Sequence, residues 1–466
     1  MLILVIMAQK KRRKDLIRTD KWQLKPSQLQ RQLLRLTVQE FRSICRGLIS
    51  VVFTHWPELG GLSSKQRIPA VERLMHKTRQ NQYPKYEYFI RRFYKFPSYY
   101  RRSAISFAIG QVSSFVTRYM EWQSGIRKRR DAKPPRLNAD CGCYPALYQG
   151  QCILFGAAMD TAKIKVFTGA DWVWTLVPVE IEPGYKRHLL DTNEKLSPYL
   201  IVNEKKCHLS VPFRCNPDDR QETNRVVSVD LGINTTAVAS VVTSDGTVLA
   251  RRFIHPGRDI DRRDKRLKRI SKKASLSNGK LHKGFCRGNY RKASNINTQI
   301  AHSVSRELVD FAEAWGAKFI VFELLLGWKP RGGRKRSNLR QRFHGWLHRA
   351  IATWTEAKWN ELGGTVKYVN PRGTSSNAYD GSGSVRRDSK NYGLCTFPTG
   401  KRYNTDLQAT YNIAAKYWFY ELVHKKGEAK RGKRTRLAPR SRAVTLSTLW
   451  NTPSSSVVGF DTPSYP

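Results

Sequence analysis

The chain has 466 residues, 40% of them hydrophobic and 11% aromatic. That is enough for two or three domains with cores of their own, which excludes a single small module and confines disorder to compositionally biased stretches. Its 84 Lys and Arg against 36 Asp and Glu leave a formal net charge of +48, a self-repulsion that demands a large polyanion, and nucleic acid is the partner that fits.

The first seven residues, Met1-Leu-Ile-Leu-Val-Ile-Met7, are apolar but far shorter than a signal-peptide core or a membrane span. Secretion is not supported, and a cytoplasmic, nucleoid-associated location is expected. The run reads either as a first strand or as a stretch ahead of a true start at Met7. Residues 28 to about 58 and 103 to 122 carry helical spacing, the second through Ile105, Ile109, Val112, Phe115, Val116 and Tyr119 on one face. Between them, Tyr83 to Arg102 interleaves aromatic and basic residues. This stretch reads equally as a surface that stacks bases and clamps phosphates and as ordinary helix packing. No basic amphipathic helix with an anchoring apolar face is present, so no membrane partner is expected.

From about 136 to 220 the pattern changes to short β-rich runs, Cys152-Ile-Leu-Phe155, Lys163-Ile-Lys-Val-Phe167, Trp174-Thr-Leu-Val177 and Tyr199-Leu-Ile-Val202, separated by Gly, Asp, Asn and Pro. A small β-barrel or sheet domain fits. The eight cysteines, at 45, 141, 143, 152, 207, 215, 286 and 395, form no Cys-x-x-Cys pair. Reduced thiols are therefore expected, with neither a zinc ribbon nor a disulfide framework. Cys141, Cys143 and Cys152 cluster but lack a fourth ligand at usual spacing.

From residue 225 strands are predicted at Val226 to Asp230, Ala237 to Thr243 and Thr247 to Phe253, the last two joined as a hairpin by Ser-Asp-Gly. A basic stretch precedes an amphipathic helix through Ile300, Val304, Leu308, Phe311 and Trp315. The strand Lys318 to Glu323 follows, then a helix through Leu339, Phe343, Leu347, Ile351 and Trp354. The strand Thr365 to Asn370 leads through a Gly/Ser-rich loop to a final helix starting near Thr405. The order βββαβαβα is that of an α/β RNase H-like fold. Residues 251 to 292 hold 16 Lys/Arg and 3 Asp, and residues 425 to 442 hold 9 Lys/Arg and 1 Glu before a low-complexity end. The first run reads as a helix and loop laid against phosphates, and 425–466 as a disordered basic tail.

Phosphodiester cleavage with two metals needs carboxylates converging from separate elements. Asp230 ends the first strand, and Gly232 lets the backbone pass close by without a side-chain clash. Glu323 ends an otherwise apolar strand, where burial is costly without a cation. Asp406 opens the last helix, where it could alternatively do no more than complement the helix dipole. Singly each has a bland reading; together, in the order Asp, Glu, Asp, they occupy the catalytic positions of one fold. The last acid is not the Glu of an Asp-Asp-Glu transposase. His344 and His348 lie four apart without the intervening Glu of a metalloprotease motif and read as surface or core residues.

The runs Val227-Ser-Val-Asp-Leu-Gly-Ile-Asn234, Val321-Phe-Glu323, Val369-Asn-Pro-Arg-Gly-Thr-Ser375 and Asn404-Thr-Asp-Leu-Gln-Ala-Thr-Tyr-Asn-Ile413 resemble the RuvC motifs of TnpB proteins, which are encoded by insertion sequences and are similar to compact type V CRISPR effectors. The resemblance covers about residues 222–424. It implies a RuvC-like nuclease domain over 222–424, a wedge-like β domain from 1–30 and 136–221, and an inserted helical recognition domain over 31–135. It also implies an RNA-guided DNA endonuclease in which Asp230, Glu323 and Asp406 bind Mg²⁺ or Mn²⁺, with guide RNA and a double-stranded DNA target as partners. Arg372, Arg91, Arg92, Arg101, Arg102, Arg262, Arg263, Lys265 and Arg266 are the candidate nucleic-acid contacts; for Arg372 an idle surface arginine is an equal reading. The chain departs from the family at 374–400, where a zinc knuckle of two Cys-x-x-Cys pairs is reduced to Cys395. Zinc is not expected, and Tyr379, Tyr392 and Phe397 are candidates for an apolar substitute. The rival reading is a catalytically silent RNA-guided DNA binder acting as a repressor or targeting subunit. A guide-independent nuclease would explain the acids but not the basic N-terminal half.

Overall fold

The computed structural model describes residues 16–135, 142–189, 193–204, 206–232, 235–277, 279–325, 346–428 and 444–450. The expectations for Met1 to Met7, Cys141, Leu339, Phe343 and His344 lie outside them. The chain divides into two compact units, residues 1–216 and 217–466.

In the first unit, strand β1 (Leu16–Leu24) leads into helices α1 (Gln28–Thr54), α2 (Trp56–Leu59), α3 (Ser64–Met75), α4 (Tyr88–Arg92) and α5 (Ser98–Gln123). Strands β2 (Ile153–Phe155), β3 (Thr161–Phe167), β4 (Trp172–Glu180), β5 (Glu194–Lys195), β6 (Tyr199–Val202) and β7 (Cys207–Cys215) follow. They form one sheet in the order β2-β3-β4-β1-β7-β5, with β6 also on β7. Helix α1 starts where Ser27 and Gln30 cap each other reciprocally: Gln30 N–H donates to Ser27 Oγ (3.3 Å) and Ser27 N–H to Gln30 Oε1 (2.9 Å). Its buried face runs Leu34, Val38, Phe41, Cys45, Leu48 and Val52, and these side chains share one core with Trp22, Ile105, Ile164, Leu209 and Phe213. Helices and sheet are thus one hydrophobic body. Within it a buried hydrogen bond joins Asp20 on β1 to His188 Nδ1 (2.9 Å).

The aromatic stretch splits into a buried and an exposed set. Phe89, Phe93, Phe96 and Tyr100 are buried in the core, whereas Tyr83, Tyr88 and Tyr94 are exposed. Tyr119, predicted on the packed face of α5, is 38% exposed.

The second unit contains β8 (Arg225–Asp230), β9 (Ala237–Thr243), β10 (Val248–Ile254), α6 (Gly257–Ser275), α7 (Arg287–Ala314), β11 (Phe319–Glu323), α8 (His348–Glu361), β12 (Thr365–Val369) and α9 (Thr405–Glu428). The sheet order is β10-β9-β8-β11-β12. The first three strands are antiparallel, and β11 pairs in parallel with both β8 and β12. Strand β9 is interior and covered on both faces, so all seven of its residues are buried and its sequence is largely apolar without alternation. One face packs Val227, Val229, Ile320 and Phe322 against Ile300, Val304 and Leu308 of α7 and Ile351 and Trp359 of α8. The other packs Val226, Val238, Val242 and Val321 against Leu407, Tyr411, Ala414, Ala415 and Trp418 of α9.

Two sequence expectations need correction here. The region 425–466 is not a tail throughout: α9 runs to Glu428, and α10 (Leu446–Trp450) buries Leu446 and Leu449 against α9. Leu446 N–H donates to Asn412 Oδ1 (3.2 Å), and Trp450 Nε1–H to Gly246 O (3.2 Å). The second concerns Tyr392 in the loop 374–400, where β13 (Arg386–Arg387) and β14 (Leu394–Thr396) form a small antiparallel sheet with β15 (Arg402–Asn404). Its core is Ala378, Cys395 and Phe397, with Tyr379 and Tyr403 packed alongside. Tyr379 meets Phe397, Tyr403 and Tyr411 edge-on, with ring centroids 5.2 to 5.4 Å apart. Tyr392, expected to join this core, is 63% exposed; Tyr403 takes that place because β15 turns it inward.

Candidate active site

The register of the second sheet brings two of the acids together. Phe319 to Phe322 of β11 pair in order with Val226 to Val229 of β8, so Glu323 and Asp230 are the next step on adjacent parallel strands and leave the sheet side by side. Alternation then sets their face. Asp230 shares that of Val226 and Ser228, and Glu323 that of Phe319 and Val321, which is the face covered by α9. Asp406 lies in the first turn of α9.

Asn404, not Asp406, caps this helix, since Asn404 Oδ1 accepts from Leu407 N–H (2.8 Å). The aspartate is therefore not needed as the cap, although in the first turn it also complements the helix dipole. Gly232 belongs to the same arrangement. A Cβ there would lie 2.6 Å from Thr235 O and 3.3 Å from Asp406 Oδ2, so only glycine lets the chain leaving β8 pass beside the third carboxylate. Behind the acids, small residues seat α9 on the sheet: Ser240 and Thr410 hydroxyls are 2.6 Å apart, and Ser228 Oγ donates to Ser240 O (3.2 Å).

All three acids are half-buried, and each has its carboxyl pushed above the usual range. For Asp230 the causes are burial, then repulsion from Glu323, then from Asp406, against which Arg387 and the Leu231 N–H act in the lowering direction. Burial raises Glu323, opposed by the Thr374 hydroxyl and the Lys416 ammonium. Burial also raises Asp406, opposed by Arg387. Lys416 is itself pushed down by burial, with Glu323 acting upward. Its Nζ donates to the carbonyls of Asn370 (3.0 Å) and Arg372, which pins the loop after β12.

Asn412 completes the clamp, its Nδ2 donating to Thr374 O (2.9 Å) and Asn377 O (2.8 Å) while Thr374 Oγ1 donates to Glu323. Arg387 reaches the site from the small sheet, its Nη2 donating to Ser375 Oγ (2.9 Å). Lys416, Arg387, Thr374 and Asn412 were not singled out from sequence. Asn412 sits inside a quoted motif, but the two cations carry no signal among 84 Lys and Arg. Among the described residues no group of three or more His, Cys, Asp or Glu is closed up to hold a metal ion as it stands.

The candidate nucleic-acid residues fall into two classes. Arg91, Arg262, Lys265 and Arg372 are exposed and Arg266 is half-buried, while Arg91 also pairs with Glu87 (2.8 Å) and Arg262 with Asp259 (2.9 Å). The others are tied to partners within the protein, Arg92 and Arg102 while still exposed to solvent. Arg92 forms a two-pronged contact to Glu40 (2.7 and 3.1 Å), Arg102 bonds Glu72 (3.1 Å), and Arg101 lies against His76 Nδ1 (2.5 Å). Arg263 is 7% exposed and bonds Asp264 (2.8 Å), because its place on α6 faces α7. It is a packing residue and not a surface contact. His348 stacks on Trp346, with ring centroids 4.3 Å apart.

Comparison with known proteins gives similarities of two kinds, in sequence and in fold. A model of the Aq_aa04 family matches residues 18–168. A TnpB-like protein, aq_aa05 of Aquifex aeolicus (strain VF5), is 30% identical over 130 residues, which is 26% of this chain and 42% of that protein. Over those residues the chain is similar to a TnpB-like protein. The matched segment is less than half the length of this TnpB-like relative. In fold it is similar to the Cas12f1–sgRNA–target DNA complex (TM-score 0.55, 12% identity, 82% of each chain). It is also similar to the mini RNA-guided endonuclease CRISPR-Cas_phi3 (TM-score 0.53, 12% identity, 87% of this chain and 92% of that one). No helix among the described residues is long and apolar enough to cross a membrane.

Proposed function

We propose that the chain is an RNA-guided, Mg²⁺-dependent DNA endonuclease of the TnpB type, with an RNase H-like, RuvC-type nuclease domain over 222–424. In this reading residues 1–30 and 136–221 are the wedge-like β domain and 31–135 the helical recognition domain. The observation that carries the proposal is the meeting of Asp230 and Glu323, in register on parallel strands, with Asp406 on the helix that covers their face. The names of the fold relatives, which include a guide RNA, a target DNA and an RNA-guided endonuclease, support the choice of partners.

The donor set fits a hard divalent cation. Three half-buried carboxylates repel one another, and burial holds each above its ordinary range, a cost that such a cation would remove. Asp230, Glu323 and Asp406 would hold it, and Mg²⁺ or Mn²⁺ there supplies charge stabilisation to the attacking and leaving oxygens of a phosphodiester. Thr374 orients Glu323, while Lys416 and Asn412 hold the loop that carries Thr374. Arg387, exposed beside the acids, is placed to receive a phosphate.

The test is cleavage of a target duplex by the chain copurified with RNA from its own flanking DNA, in Mg²⁺. Asp230→Ala abolishes cutting and leaves RNA and DNA binding intact; a variant that still cuts at the wild-type rate refutes the site. One observation favours the rival, a silent RNA-guided binder. Arg387 and Lys416 already give the acids part of the positive charge that a metal would bring. A guide-loaded complex that binds the target in Mg²⁺ without nicking it would establish that rival.

A further inference from the structure

Helix α5 ends in an aromatic corner. Phe115, Tyr119 and Trp122 follow helical spacing, with Phe115–Tyr119 centroids 5.7 Å apart and Tyr119–Trp122 5.3 Å. The chain then reverses at Gly125, whose φ is +78°. The reversal is locked by the N–H groups of Ile126 (2.8 Å) and Arg127 (3.0 Å) on Glu121 O, and by an Arg127–Glu121 ion pair (2.6 Å). Residues 129–134 consequently return along the helix end. A cavity of about 530 Å³ lies between the returning segment and the rings, lined by Phe115, Tyr119, Trp122, Arg129, Arg130 and Lys133 among others.

Packing accounts for Phe115, which is buried against Phe53, but not for the residues beyond it. Tyr119 is 38% exposed, and the neighbouring Met120 and Ile126 are 61% and 79% exposed. The Arg129 guanidinium stands 5.7 Å from the Trp122 ring centroid, and Arg130 and Lys133 reach solvent at the rim. Flat π-faces beneath a ring of cations match one ligand chemistry, a planar base that carries its own phosphates. The volume lies within the range of small-ligand pockets and exceeds what a single base fills.

We propose that this pocket receives one unpaired nucleotide of a structured RNA, its base against Tyr119 and Trp122 and its flanking phosphates on Arg129, Arg130 and Lys133. RNA is favoured over duplex DNA because loops and bulges present splayed bases at no further cost, whereas a duplex must first unstack one. The inference rests on the reading that the chain carries an RNA, but not on the acids of the second unit.

The test uses the purified full-length chain and a fluorescent RNA hairpin whose loop displays one unpaired 5-iodouridine, which cross-links on irradiation to stacked aromatic side chains. The adduct is expected on the peptide carrying Tyr119 and Trp122. Trp122→Ala should lose the adduct and weaken binding about 10-fold, while Trp122→Phe keeps both. The rim variant Arg129→Ala with Lys133→Ala, both exposed and so without risk to folding, should weaken binding with a shallower salt dependence. Undiminished binding by Trp122→Ala and the rim variant, with the adduct elsewhere, overturns the pocket while leaving RNA carriage standing. Equal capture of a DNA hairpin at Trp122 overturns the assignment to RNA. Absence of any RNA binding by the unmodified chain overturns both readings.

Discussion

Asp230→Asn should make the metal-free protein more stable at neutral pH. Asp230 faces repulsion from both Glu323 and Asp406, and the substitution keeps its shape while removing its charge. Adjacent parallel strands are about 4.8 Å apart, so two unit charges side by side repel by roughly 3.5 kcal/mol at an effective dielectric constant near 20. Solvent reaches all three acids, and discounting for it leaves a gain of about 1–2 kcal/mol. At about 2–4 °C per kcal/mol for a unit of this size, the Tm should rise by roughly 2–8 °C in EDTA at pH 7.5. The pH dependence has a definite sign. A carboxyl raised in the folded state binds its proton more tightly there than in the unfolded chain. The parent's stability is therefore lost as pH climbs from the ordinary carboxylate range through the raised value, and recovered on acidification. The variant's advantage should accordingly shrink toward pH 4.5, and Mg²⁺ should also shrink it at pH 7.5 by relieving the parent. Differential scanning fluorimetry across pH with and without Mg²⁺ reads all of this. A variant less stable than its parent at pH 7.5 in EDTA would refute the mutual repulsion of the three acids.

Gly232→Ala should abolish target cleavage and cost about 1–3 kcal/mol in a denaturant titration, since its Cβ would lie 2.6 Å from Thr235 O; full activity would show that the turn has room. Gly246→Ala adopts φ +89° unfavourably and would place a Cβ 2.7 Å from Trp450 Cδ1. It should free α10, read as faster proteolysis after residue 428 at wild-type cleavage of the β8–β9 region, and unchanged digestion would contradict it. Phe397→Ala should cost about 3 kcal/mol because the ring is buried in the core of the small sheet. In Mg²⁺-free buffer a zinc chelator should leave the Tm of the parent unchanged, whereas stoichiometric zinc by elemental analysis would reassign that core.

The parts of the second unit that could be read from sequence are those whose pattern is local. Strands β8 and β11 are apolar runs each ending in one acid, and the hairpin between β9 and β10 announces itself by Ser-Asp-Gly. Strand β1 is different. Its partner β7 is almost 200 residues away, pairing Leu16 with Cys215, and its apolar inner face is interrupted by Asp20, whose burial depends on partners such as His188. No local pattern contains that information. The same limit applies to Arg387 and Lys416, which resemble any other basic residue until the small sheet and α9 carry them to the acids. Arg263 fails in the opposite direction: charge density predicts a phosphate contact, yet α6 must turn one face to α7, and Arg263 lies on it. Helix α10 is five residues inside low-complexity sequence, too short for periodicity to register, and is held by tertiary contacts to Asn412 and Gly246.

The three acids are anchored by different kinds of bond, and they should therefore drift at different rates as the sequence changes. Asp230 and Glu323 are spaced by the hydrogen-bond ladder of two parallel strands, which is indifferent to the identity of the side chains beneath. Asp406 is spaced by how deeply α9 settles on Ser228 and Ser240, where the Ser240–Thr410 hydroxyl pair admits nothing larger. A single methyl added at Ser240 would move one corner of the triangle and leave the other two where they are. Diversification of cutting rate and metal preference among relatives should thus concentrate beneath this helix, out of sight of the substrate.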